Sequence, residues 1–266
     1  MADFTLALRL ALRSRFALLS LWLVLAVLGA ALLASQFSGR QPLTVALDVG
    51  WSAMRLLLPL AGVLLIQELI SREFDRRLFL TSLTYPRSRA GFLLGRFCAA
   101  VVLVSVLLVI VAALLAAFSG VFSRGYAQST PVALGLPYLV LTAAALLELW
   151  VVLALATLIA VLARTPAFVL IGALGFTFVA RSFSTIIAMV ERDSTLVSDA
   201  GTYSASLGLL SYVLPDLAAL DVRMVVLYGR WEFLPQHWEW HILSALAYIG
   251  VLVGAAVWAL SRKRFE

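Results

Sequence analysis

The chain has 266 residues, of which 63% are hydrophobic and only 13% charged, with a formal net charge of +6. A soluble domain carries about a quarter charged residues, so a globular core in water is excluded and lipid is the expected solvent. Nucleic acid is not an expected partner, because the basic residues sit in short loops between apolar runs. A single cysteine, Cys98, excludes an internal disulfide.

In chain order, residues 3–14, "DFTLALRLALRS", place Phe4, Leu8 and Leu12 on one stripe beside Thr5, Arg9 and Arg13. This suits a helix over about 1–15 lying in the cytoplasmic interface, or else the first turns of the first span. Phe16 to Ala34 is uninterrupted and longer than a signal h-region, so it is expected to be a retained first span. Further spans are expected over about 51–70, 92–119, 132–163, 166–190 and 240–261. Thr130-Pro131 and Thr165-Pro166 each place a capping hydroxyl before a proline suited to the first helical position. Trp51, Trp150, Trp238 and Trp240 are expected near span ends, as an aromatic belt. The remaining region, 191–238, is broken by Pro215, Asp216, Asp221 and Arg223 and is expected to form short outer helices. Its aspartates, Asp193, Asp199, Asp216 and Asp221, offer contacts to a periplasmic protein partner.

Loop charge sets the orientation. Thirteen Arg and Lys fall on the side of Arg9, Arg96, Arg164 and Lys263, against five on the side of Arg40, Arg124, Arg192, Arg223 and Arg230. The positive-inside rule then places both termini in the cytoplasm. The expected fold class is an all-α polytopic membrane protein: one transmembrane domain over 1–266, six helices, N-in and C-in, in a bacterial inner membrane.

Four ionisable residues interrupt the spans and are candidates for a polar site: Glu148, Arg181, Arg55 and Glu68. Arg55 would lie only about 6 Å below the outer edge of its span, within snorkelling reach. Arg181 falls in the outer half of its own span, and Glu68 one turn before Arg72, with which it would pair. Glu148 sits near mid-bilayer, either as a functional group or as a structural hydrogen-bonding partner between helices. His237 and His241 in "HWEWH" share a helix face at i, i+4 spacing, as metal ligands can; an interfacial girdle explains them more simply. No metal site is therefore expected. Gly91/Gly95 and Gly250/Gly254 are small-xxx-small pairs compatible with close helix contact. The chain has no G-x-x-x-x-G-K-[ST] phosphate loop and no G-x-S-x-G elbow, so it is not expected to be an enzyme or to bind a cofactor itself.

The segment 71–89, "SREFDRRLFLTSLTYPRSR", concentrates Arg72, Glu73, Asp75, Arg76, Arg77, Arg87 and Arg89 between the second and third spans. Glu73 and Arg77 form a favourable i,i+4 pair, Phe74 and Leu78 share a face with Tyr85, and Pro86 ends the run. Glu73, Asp75, the "SLTYP" ending at Pro86, Arg89 and the "FLLGRF" of 92–97 together resemble the membrane subunits of type-2 ATP-binding-cassette exporters. The "LTYP" variant is similar to the subgroup associated with nitrous oxide reductase maturation. Arg77-Leu78-Phe79 departs from that family's Gly-Thr-Leu, and Arg96 replaces its usual lysine. The resemblance implies a coupling loop at 71–90, with Arg72, Glu73, Phe74, Asp75, Arg76, Arg77, Leu78, Tyr85, Pro86 and Arg89 docking on a separate pair of ATP-binding subunits. It also implies ATP and magnesium on those partners, a second permease copy in a homodimer, and export as the activity. The alternatives are a membrane anchor that transmits ATPase motion to periplasmic partners without transport, and an ATP-independent membrane protein acting on lipid-linked substrates.

Overall fold

The computed structural model describes residues 2–13, 16–71, 88–122, 131–163, 165–192 and 215–263. These are helical throughout, with short connections and no strand among the described residues. The helices are α1 (Ala2–Arg13), α2 (Phe16–Phe37), α3 (Pro42–Ile66), α4 (Arg89–Phe122), α5 (Leu136–Leu162), α6 (Pro166–Arg192), α7 (Arg223–Tyr228) and α8 (Trp238–Arg262). A π turn, Gln67–Ser71, prolongs α3, and a 3₁₀ turn occupies Trp231–Phe233. Five helices are long and apolar enough to cross a membrane: α2, α3, α4, α5 and α8. The fifth span expected from the sequence is α6, whose described apolar stretch covers Pro166–Ser182.

Helix α5 is the hub. Of the residues in its apolar stretch 72% are buried, against 17% in those of α2 and α8, which therefore form the flanks. Small residues, Ala144, Ala145, Ala154, Ala156 and Ala160, let neighbours approach α5 closely. Its threonine hydroxyls are spent locally: Thr142 donates to the Tyr138 carbonyl and Thr157 to that of Leu153, each at 2.8 Å. Such i−4 bonds hide polar atoms from lipid without a partner helix.

Two helix starts differ from the sequence expectations. Helix α3 starts at Pro42, nine residues before the expected Trp51, because Pro42 occupies the first turn and Asp48 and Gly50 continue the helix. Trp51 is consequently buried in the bundle, edge-on to Tyr138 at 5.5 Å between ring centroids. It is not part of an aromatic belt, and neither is Trp150, whose Nε1 donates to Ser105 Oγ at 2.8 Å inside the bundle. Helix α5 starts at Leu136 after Gly135, with Pro137 in its first turn, so Pro131 does not open it. Residues 131–135 instead run beside α7, where the Ala133 amide donates to the Val226 carbonyl at 2.9 Å. Thr165-Pro166 does open α6.

Helix α1 is separate from α2 and packs against α4 and the π turn. Among its described side chains Ala7 and Ala11 are buried, with Phe4 and Leu8 half-buried beside them, while Leu6, Arg9 and Leu10 are exposed. The small residues make the contact because they admit another helix close to the backbone.

One end of the bundle is held by cations on helix carbonyls. Arg89 Nη1, at the start of α4, donates to the Ser261 and Lys263 carbonyls at 3.1 Å, at the end of α8. Lys263 Nζ donates to the Val161 carbonyl at 2.7 Å, at the end of α5. Helix C-termini carry unsatisfied carbonyls and partial negative charge, which a cation stabilises. Arg96 is buried; its Nε donates to the Leu69 carbonyl within the π turn at 2.8 Å, and its guanidinium lies 3.5 Å from the centre of the Phe92 ring. Burial lowers the Lys263 pKa from its ordinary value.

Candidate functional site

Three of the four intramembrane candidates meet in one place. Glu148, twelve residues into α5, is buried and accepts from two arginines. Arg55 of α3 donates from Nε at 2.9 Å and approaches the same oxygen with Nη2 at 2.7 Å. Arg181 of α6 donates from Nε to the other oxygen at 2.6 Å. Glu148 therefore binds α3 and α6 to α5, and each carboxylate oxygen has a charged donor. With the helix start moved to Pro42, Arg55 lies about 20 Å along α3 at 1.5 Å per residue. It does not snorkel: its side chain is only 11% exposed and is held between carboxylates.

Pro59 explains why Arg181 reaches α3. A proline inside a helix has no amide hydrogen, so the carbonyl four residues earlier loses its donor. That carbonyl belongs to Arg55, and Arg181 Nη2 donates to it at 2.9 Å. In lipid such a freed carbonyl needs a replacement donor. The arrangement was readable in principle, since Pro59 stands four residues after Arg55 within one apolar run.

The network continues out of the bundle. Arg55 also pairs with Asp221, in the segment before α7. Asp221 accepts a two-pronged contact from Arg223, with Nε to Oδ1 at 2.8 Å and Nη2 to Oδ2 at 2.9 Å. Arg223 Nη1 bonds Asp48 Oδ1 of α3 at 2.9 Å and also Ser52 Oγ. The result is a chain of alternating sign: Asp48, Arg223, Asp221, Arg55, Glu148, Arg181. Burial pushes the Asp221 carboxyl up, but the hydrogen bond from Arg223 and the charges of Arg55 and Arg223 outweigh it and hold the pKa below the ordinary 3.8. Burial pulls Arg223 down, and Asp221, Asp48 and Glu148 more than restore it.

The outer aspartates thus have an internal use. Asp221 is committed to Arg55 and Arg223, and Asp216 Oδ1 accepts from the Ala218 and Ala219 amides at 3.0 and 3.2 Å. Neither is the free surface acid expected for a partner protein. Asp193 and Asp199 lie outside the described residues, as do Arg72, Glu73, Phe74, Asp75, Arg76, Arg77, Leu78, Tyr85 and Pro86. Glu68 lies in the π turn, far along α3 from the network, and Arg72, its expected partner, is not among the described residues. Arg89 is placed, and caps α8.

His237 is not on the helix face of His241. It precedes α8 in a left-handed conformation, φ 56°, which breaks the i,i+4 geometry. Among the described residues no group of three metal-ligating side chains comes together.

Because the folded-state pKa of Asp221 is lowered, its contribution to stability is complete above 3.8 and is lost as pH falls through the lowered value. Acid titration of the purified protein is therefore expected to show loss of stability beginning below 3.8, measured by tryptophan-detected melting. The Asp221→Asn variant should flatten that part of the profile; an unchanged profile would assign the acid sensitivity elsewhere.

The helices and the buried ion chain define the class: a multi-pass helical membrane protein with a polar clasp inside its bundle. A scan of protein-family models gives no match, and a search of curated proteins gives none.

Proposed function

We propose that the chain is the permease subunit of an ATP-driven exporter of the type-2 class, with six spans, both termini in the cytoplasm of a bacterium, and a second permease copy as partner. A separate pair of ATP-binding subunits, carrying ATP and magnesium, docks on residues 71–90. The observation that carries this reading is the Glu73, Asp75, "SLTYP", Arg89 and "FLLGRF" pattern between α3 and α4.

The geometry around that segment is suited to the role. On one side it joins the π turn, whose Leu69 carbonyl is held by Arg96; on the other, Arg89 grips the end of α8. Force applied to the loop therefore reaches α3, α4 and α8 at once. Helix α3 then carries it to Arg55 and Asp48, both in the ion chain. Work enters through different affinities of the loop for two ATPase states, as any ligand-driven switch requires.

A second reading has the chain as an anchor that passes ATPase motion to outer partners without transport. The Asp48–Arg223 and Arg55–Asp221 links favour it, since they connect α3 directly to the segment at 215–223. Co-expression of the chain with its neighbouring genes and purification in detergent tests both. A stoichiometric Walker-containing subunit is expected, and its absence would overturn both in favour of an ATP-independent protein. ATP-dependent movement of a solute into vesicles separates exporter from anchor.

A further inference from the structure

Three of the chain's seven tryptophans, Trp231, Trp238 and Trp240, fall within ten residues, in the stretch "YGRWEFLPQHWEWHI". Indole and phenol side chains join an apolar body to a polar tip, and they gather where lipid meets water. The structure places this stretch at the end of the bundle where α3, α5 and α8 begin. Helix α7 lies there on Val225, Val226 and Leu227, which are buried. Arg223 reaches Asp48 and Ser52 of α3, and the Val226 carbonyl accepts from Ala133, just before α5.

The remaining face of α7 is bare. Met224 and Tyr228, one turn apart, are exposed. Gly229 ends the helix in the left-handed conformation, φ 65°, and turns the chain toward the 3₁₀ turn at Trp231–Phe233. That turn buries none of its side chains, and Trp231 and Phe233 are each 47% exposed. The Tyr228 and Phe233 rings meet at 5.7 Å between centroids, so the helix and the turn present one apolar surface.

Two features identify what covers this surface. It is tied on both sides to helix ends that face lipid. Leu136 and Leu139 in the first turns of α5, and Trp240 in the first turn of α8, are more exposed still, on helices long and apolar enough to cross a membrane. Charged groups also interleave with the apolar ones, since Arg230, Glu232 and Glu239 are exposed beside them. The centre of a protein–protein contact is depleted of charge. Alternating aromatic and charged groups instead suit the headgroup layer, where each side chain reaches its own medium.

We infer that Met224, Tyr228, Trp231 and Phe233 form a foot seated in the phospholipid of the adjoining leaflet, with Arg230 and Glu232 at the headgroups and Trp240 completing the seat from α8. Because α7 begins at Arg223, the foot bears on the level at which Arg223 meets Asp48. The seat requires only that the chain spans a membrane, and stands whether or not the exporter reading does.

The test uses the full chain in phospholipid nanodiscs, in a Cys98→Ser background that removes the one native thiol. Nitroxide labels are attached singly at Trp231→Cys and Phe233→Cys, with Leu246→Cys on the exposed side of α8 as the lipid reference and a free nitroxide in buffer as the water reference. Relaxation by oxygen, which concentrates in lipid, is compared with relaxation by a water-soluble nickel chelate. Labels at 231 and 233 are expected to favour oxygen several-fold more than the free nitroxide does, approaching the label at 246. A ratio equal to that of the free nitroxide would put the foot in water and overturn the proposal. Low access to both reagents would put a second copy of the chain over the surface, and would overturn it equally. If the labelled variants do not fold, the wild-type chain and Trp231→Phe decide. In nanodiscs of lipid brominated near the headgroup end of its acyl chains, the difference between their emissions, which is that of Trp231, should be strongly quenched; an unquenched difference would overturn the proposal.

Discussion

Replacing Glu148 by alanine is expected to destabilise the bundle by about 3–5 kcal/mol, the cost of leaving buried charge without its partner. Arg55 would retain Asp221, but Arg181 would keep only the Arg55 carbonyl, so two guanidinium groups would crowd one another in a low-dielectric surrounding. Glu148→Gln should cost less, because an amide oxygen still accepts one hydrogen bond. The informative comparison is the pair Glu148→Leu with Arg181→Leu. Removing both charges leaves Arg55 matched by Asp221, so the double variant should recover much of what Glu148→Leu loses. Reversible unfolding in mixed micelles measures all four variants. A Glu148→Ala protein within about 1 kcal/mol of the wild type would show that the carboxylate carries no structural charge balance.

The second large effect is expected at the segment between α3 and α4. On the proposed exporter reading, reversing Glu73 to arginine together with Phe74→Ala should reduce co-purification of the proposed ATP-binding subunit by about tenfold or more, equivalent to ~1.4 kcal/mol. Melting of the chain and its yield in the membrane fraction should be unchanged, because the described anchors of the segment, Arg96 on Leu69 and Arg89 on α8, are untouched. Normal co-purification by the double variant would remove the coupling role from these residues. A fall in membrane yield would instead give them a structural one.

The parts of the site legible in the sequence were those that violate the apolar pattern. Glu148 and Arg181 stand out because a charge inside a twenty-residue apolar run has few places to go. Arg55 stood out equally, but its depth was misread. The span was expected to begin at Trp51, whereas Pro42 opens a longer helix that carries Asp48 and Gly50 as well. Asp221 and Arg223 were visible only as charges that break an outer segment. Their pairing with Asp48 and Arg55 spans more than a hundred residues of sequence, and no local periodicity encodes it. The role of Pro59 required asking where the carbonyl four residues earlier finds its hydrogen bond, a question of backbone satisfaction that a hydropathy pattern does not pose.

The π turn after Ile66 gives α3 a reserve of length and phase. Each α-helical residue advances the chain by ~1.5 Å and turns it by ~100°. A π turn closes its hydrogen-bonded ring with one residue more than an α turn. Rewinding Gln67–Ser71 into α form would shift everything beyond Ser71 by one residue's rotation and rise, while Arg55, Pro59 and their ion pairs stayed in register. Arg96, on the Leu69 carbonyl, holds the turn in its present winding. The helix is in effect two shafts joined by a coupling, so the winding of Gln67–Ser71 sets how much of a rotation applied beyond Ser71 is passed on to Arg55 and Glu148.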